Sequence, residues 1–169
     1  MDRIDITVRI AAAEDAKSLV AFNQAMALET EGKTLAPDKI TAGVGAVFAD
    51  EKKGFYVVAE TNERIVGGLM VTYEWSDWRD KWFWWIQSVY ILPEGRGQKI
   101  YSRMYEFVKQ KAADAGNVCG FRLYVETENV HAQKVYEKLG MNSSHYLMYE
   151  EEVRAVSSPD VSKGNLRAK

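Results

Sequence analysis

The segment Pro93-Glu94-Gly95-Arg96-Gly97-Gln98-Lys99-Ile100 joins an aromatic, β-branched run to a strongly periodic helical stretch. A turn in that place points several unpaired backbone N–H groups at one spot, at the positive end of a helix dipole. Gly95 and Gly97 let the main chain approach a ligand without a Cβ in the way, and Arg96 and Lys99 add formal positive charge. The chemistry implied is binding of a phosphate-bearing anion. The same residues also suit a glycine-rich turn with solvated basic side chains.

A second group of residues lies just upstream. All five tryptophans fall between Trp75 and Trp85, beside Glu74, Asp77 and Asp80. Aromatic faces next to carboxylates attract an organic cation through cation–π contact and charge; an aromatic core or a subunit interface is the competing account, and exposed tryptophans would favour a homodimer. The single cysteine, Cys119, begins a strand and reads as buried and inert, and His131 and His145 lack metal-ligand spacing, so no metal is expected.

The elements that would position these residues follow from periodicity. Ile4, Ile6, Val8 and Ile10 alternate as one buried strand face, and a helix from Glu14 carries Ala16, Leu19, Val20, Met26 and Ala27 at helical spacing. Pro37 opens a shorter helix with Ile40, Val44, Val47 and Phe48 on one side. Strands are expected over Phe55–Glu60 and Arg64–Tyr73, joined at Thr61-Asn62-Glu63, and a central strand over Trp82–Leu92. Ile100, Met104, Phe107, Val108 and Ala112 mark a helix capped near Gly116; Phe121, Leu123 and Val125 mark a strand; Ala132, Val135, Tyr136 and Leu139 mark a helix stopped by Gly140; and His145–Glu150 reads as a last strand.

At 169 residues the chain suits one domain, here residues 1–152, followed by a tail over 153–169 without apolar periodicity. A net charge of -2 gives no broad attraction to nucleic acid, no apolar run is long enough for a membrane span, and one thiol without a partner fits a reducing cytoplasm.

The string from Val89 to Ile100 resembles the coenzyme A-binding motif of GNAT acyltransferases, roughly V-x-P-x-x-R-G-x-G-I-G. Ile91, Pro93, Arg96, Gly97 and Ile100 match in type, while Lys99 and Tyr101 stand where that family usually has glycines. Downstream, Asn129-x-x-Ala132-x-x-x-Tyr136-x-x-x-Gly140-Met141 is similar to the family's second motif, with Met141 replacing an aromatic residue. The resemblance implies an α+β fold with a central, mostly antiparallel sheet, flanking helices and a β-α-β-α coenzyme-binding half. It implies acetyl-CoA as co-substrate, held by the main chain of Val89 and Ile91, by a cradle of Arg96, Gly97, Gln98, Lys99, Ile100 and Tyr101, and by Asn129. It also implies an acetyl transfer to a primary amine of a small molecule or peptide, with the Tyr136 phenol protonating the departing thiolate.

An alkylamine is neutral in only about one molecule in 10³–10⁴ at pH 7, a deficit of roughly 4–5 kcal/mol, so a base is needed. The family often uses a carboxylate on the central strand, but the matching position here is Trp85. Glu74, ahead of Trp75 and Trp78, is the preferred base. Glu126 could also face the acceptor and Gln87 could hold a water, so Trp75, Trp78, Gln87 and Glu126 form the expected acceptor wall. The missing base and the two absent glycines also suit a non-catalytic acyl-CoA-binding sensor or scaffold.

Overall fold

The run Phe55-Tyr56-Val57-Val58-Ala59 is apolar at odd and even positions alike because both faces of its strand are covered. Val57 and Ala59 join one core with Leu69, Val71, Ile86, Met104 and Val108, whereas Tyr56 and Val58 join a second with Leu19, Phe22, Val44 and Tyr90. The chain therefore builds helices on both sides of one sheet.

A computed structural model describes residues 5–62 and 64–153. In order they form β1 (Thr7–Ile10), α1 (Ala16–Glu31), α2 (Pro37–Ala49), β2 (Phe55–Thr61), β3 (Arg64–Ser76), β4 (Lys81–Ile91), α3 (Ile100–Ala115), β5 (Val118–Arg122) and α4 (Val130–Lys138), with 3₁₀ turns at Ala13–Asp15 and Pro93–Gly95. The sheet runs β1-β2-β3-β4-β5; the first four strands pair antiparallel and β5 pairs parallel to β4. This is the mixed, mostly antiparallel architecture expected, with β4-α3-β5-α4 as its final half. Helices α1 and α2 cover one face through Leu19, Phe22 and Val44, and α3 covers the other through Ile100, Met104, Val108 and Ala112.

Arg9 ties the start of this layout together. It holds Asp15 through two hydrogen bonds, at 2.7 and 3.1 Å, and Glu60 at 3.0 Å, so β1, β2 and the entry to α1 share one ion network. Asp15 is buried, and its carboxyl is pushed below the usual range by the Arg9 guanidinium and the Ala12 N–H.

Three expectations change. The strand placed over Phe121–Val125 is β5 at Val118–Arg122: Leu123 and Val125 lie beyond the ladder, although Leu123 still packs on the core. Cys119 is half-buried instead of buried, with its thiol donating to the Trp82 carbonyl at 3.3 Å. His145–Glu150 joins no ladder; Tyr146 is 70% and Tyr149 89% exposed. Alternation identifies a chain suited to a strand but does not supply the neighbour a strand needs. Ile4, Glu63 and the tail beyond Val153 lie outside the described residues.

Candidate active site

β4 and β5 run together only from Trp82↔Val118 to Trp85↔Arg122. From Ile86 to Ile91, β4 continues without β5, so the sheet opens toward its C-terminal strand ends, where parallel strands commonly receive ligands. Within that stretch Gly68 pairs with Tyr90 and Met70 with Gln87, leaving Ser88 and Val89 opposite the single residue Leu69. This is a β-bulge, and Ser88 takes a left-handed φ of 52° to make it. The bulge turns the main chain at Val89 at the point where the strands part. Val89 and Ile91 pack their side chains on the core, so only their backbone groups are available to a ligand.

The turn expected as a cradle follows β4. Gly97 has φ +79° and open space where a Cβ would stand. Lys99, the residue just before α3, has φ 59°, a conformation that usually selects glycine. The chain thus keeps a left-handed backbone at this position and fills it with an ammonium side chain. The first N–H groups of α3, at Ile100, Tyr101 and Ser102, have no carbonyl four residues back within the helix. Ile100 itself is buried in the core and offers only its main chain.

Two cradle side chains are turned elsewhere. Gln98 donates its amide back to the Glu94 carbonyl at 2.7 Å. Arg96 donates to the Ile91 carbonyl at 3.1 Å and to Glu29 at 2.7 Å, while Glu29 also accepts from the Tyr90 hydroxyl at 2.7 Å. The Tyr90 hydroxyl and the Arg96 guanidinium together hold the Glu29 carboxyl low, and burial with the nearby Glu29 raises the Tyr90 phenol. Arg96 therefore clamps the end of α1 to the turn. Nothing local in the sequence sets Glu29 apart from a solvated helix residue, because its partners lie more than 60 residues away.

Tyr136 on α4 meets Tyr101 edge-on, with ring centroids 5.5 Å apart, and Tyr101 stacks on Tyr105 at 6.1 Å. The Tyr101 hydroxyl is buried and has no hydrogen-bond partner among the described residues. Burial raises the pKa of both phenols, and the neighbouring Tyr136 adds to the rise at Tyr101. Both remain neutral proton carriers at ordinary pH. Asn129 caps α4, accepting from the Ala132 N–H at 3.1 Å, so its carbonyl oxygen is already engaged.

On the other side of the opening, the Glu74 carboxylate is gripped at both oxygens: Arg122 donates to one at 2.6 Å and the Trp85 indole to the other at 2.5 Å. The carboxylate absent from the central strand at Trp85 thus arrives beside it from β3. Arg122 also stacks over Phe83 at 3.7 Å, and Tyr124 lies 6.2 Å from Trp85. Trp75 packs edge-on against Trp82 at 4.9 Å and stays half exposed, while Trp78 projects from the β3–β4 turn at 88% exposure. Gln87 donates to the Thr72 hydroxyl at 2.5 Å. Glu126 is exposed in the loop before α4, outside this cluster of contacts. No local motif pointed to Arg122, which reaches Glu74 only through the parallel pairing of β5.

Residues 19–141 match a family model described as the acetyltransferase (GNAT) family. Among solved structures, the chain is 43% identical to a possible acetyltransferase from Clostridium difficile 630, with a TM-score of 0.83 over 89% of this chain and 99% of that one. Similarity of fold alone extends to a predicted acetyltransferase with acetyl-CoA from Clostridium acetobutylicum, at 18% identity and TM-score 0.72 over 87% and 96% of the two chains. It extends also to AAC(6')-Iy in complex with the bisubstrate analog CoA-S-monomethyl-acetylneamine, at 12% identity and TM-score 0.72 over 89% and 99%.

Proposed function

Because the chain belongs to the GNAT family of acetyltransferases, we propose that it moves the acetyl group of acetyl-CoA onto a primary amine of a small molecule or peptide. The observation that carries this reading is the parting of β4 from β5 directly before the open first turn of α3. The cradle suits a coenzyme: free amides and the Lys99 ammonium meet its phosphates, and the bulged backbone at Val89 meets the pantetheine arm. The unpartnered Tyr101 hydroxyl, buried beside Tyr136, is the kind of donor a bound thioester would satisfy.

In the proposed reaction the amine nitrogen attacks the thioester carbonyl carbon, polarised by main-chain N–H groups of β4, and the carbon–sulfur bond breaks. Tyr136 gives its proton to the leaving sulfur and is reprotonated from solvent. The ammonium loses its first proton to Glu74, directly or through a water held by Gln87, before the attack, and the nitrogen of the tetrahedral adduct loses its second to solvent as the amide forms. Arg122 then has a second task, because it competes with the cationic acceptor for the same carboxylate and keeps that carboxylate oriented when the acceptor is absent. Glu74 beside the Trp85 ring would favour a cationic acceptor through charge and cation–π contact, whereas Trp75, expected in the acceptor wall, packs on Trp82 on the opposite face of β3. The fold relative solved with an acetylneamine analog supports a small-molecule amine as the acceptor class.

No helix among the described residues is long and apolar enough to cross a membrane, and the lone thiol fits a reducing, cytoplasmic setting. The binding half of this reading is tested by calorimetric titration with acetyl-CoA. One equivalent bound per chain, competed by free CoA, is expected; the absence of any heat at millimolar ligand contradicts it.

A further inference from the structure

Trp82, Trp84 and Ile86 on β4 belong to the apolar core under α3, whereas Phe83 and Trp85 on the same strand join neither core. Alternation therefore turns Phe83, Trp85 and Gln87 to the opposite face of β4, where each is half-buried. Register sets Glu74 beside Phe83, and Thr72 and Arg122 on either side of Trp85. Four polar side chains thus surround two aromatic rings at the point where β4 and β5 part.

The charges in this patch are opposite and in contact. Arg122 donates to Glu74 at 2.6 Å, and their side chains are 35 and 40% exposed, so a ligand can reach both. Arg122 also lies 3.7 Å from the centre of the Phe83 ring, and Arg79 lies 5.1 Å from the same ring. Arg79 is in no ion pair among the described residues, so two guanidiniums gather here against the single carboxylate paired with them. A ligand with positive charge alone would take Glu74 from Arg122 and leave that guanidinium facing a second cation. A ligand with both charges exchanges one ion pair for two: its ammonium meets Glu74 and its anion meets Arg122, with Arg79 adding to the attraction. Because the two protein charges touch, the two ligand charges must also be neighbours. That suits the ammonium and carboxylate of an amino acid, and not a polyamine or a peptide N-terminus, whose amine has no adjacent carboxylate. We propose that the acceptor is a free α-amino acid, bound as its zwitterion with the carboxylate on Arg122. The chemistry at its amine rests on the proposed acetyl transfer, whereas recognition of its two charges rests on Glu74 and Arg122.

Calorimetric titration in the presence of excess CoA compares each common α-amino acid with the amine left when its carboxyl is removed, a change that keeps ammonium and side chain. At least one amino acid is expected to bind about tenfold or more tightly than its amine, and Arg122→Gln to erase that difference by weakening the acid and not the amine. Equal affinity for acid and amine across the panel, or no amino acid bound at millimolar concentration, would overturn the assignment. So would an Arg122→Gln protein that loses acid and amine alike, the result expected of a residue that only holds Glu74 in place. Should Arg122→Gln fail to fold, the comparison of acid with amine in the natural protein decides. Thiol release from acetyl-CoA, followed with the same pairs, separates the two levels. Turnover of amines with no preference for the acids would overturn the amino acid and keep acetyl transfer; acid binding that depends on Arg122, without turnover, would uphold the two-charge site and contradict the transfer.

Discussion

A phenol half-buried against another phenol gives up its proton only to a strong acceptor, and Tyr136 is in that position. A thiolate leaving a thioester is such an acceptor. Tyr136→Phe keeps the ring packing against Tyr101 and removes only the proton, so turnover should fall about 10²-fold or more while acetyl-CoA affinity stays within roughly twofold. Steady-state kinetics beside a binding titration separates the two effects, and unchanged turnover removes Tyr136 from the chemistry. Glu74→Gln keeps an acceptor for the Trp85 indole but cannot take a proton. Turnover should fall about 10²-fold if Glu74 is the base, and unchanged turnover would count against it. Glu74 stands out in the sequence as a candidate because tryptophans and acids cluster around it. Arg122 was not, since its pairing with Glu74 depends on where a parallel strand lands, and no spacing along the chain encodes that.

Among the elements, the turn at Lys99 trades backbone comfort for charge. A left-handed residue with a side chain costs about 1–2 kcal/mol relative to a right-handed one, and glycine escapes most of that cost. Lys99→Gly should therefore raise the melting temperature, whereas Lys99→Ala should not; both should weaken acetyl-CoA binding about tenfold if the ammonium meets a phosphate. Equal affinity in all three proteins would reduce Lys99 to a structural oddity. The bulge at Ser88 was invisible beforehand, because serine has no marked preference for φ near 50° and a strand pattern reads through a single extra residue. The entry to α1 depends on Arg9 and Asp15. Asp15→Asn should cost about 2 kcal/mol at pH 7 by removing charge-assisted hydrogen bonds from a buried site. The folded carboxyl titrates below its unfolded value, so this contribution is complete above the ordinary aspartate range and is lost as pH falls through the depressed folded value. Thermal melts of the two proteins should diverge at neutral pH and converge as pH falls through the depressed folded value.

For the whole molecule, element order and the two-sided sheet were readable because Val57 and Ala59 must face one way and Tyr56 and Val58 the other, each with its own helices. Strand limits followed less well: Leu123 looks like strand from its alternation yet packs on the core past the end of β5. The last apolar segment, expected as a strand, joins no ladder, because an apolar run along the chain does not supply the neighbour that a strand needs. Of the candidate site, the turn and Glu74 came from local residue patterns and Tyr136 from the resemblance of its motif, while Glu29, Arg122 and the tyrosine pair emerged only once distant elements met.

Acetyl transfer itself is tested most directly by following thiol release from acetyl-CoA against a panel of polyamines, amino acids, aminoglycosides and peptide N-termini. Release that depends on at least one amine, saturates in it and yields the acetylated product by mass is the predicted result. Stoichiometric acetyl-CoA binding with release no faster than the amine-free blank across the whole panel would contradict catalysis and leave a protein that only holds the coenzyme.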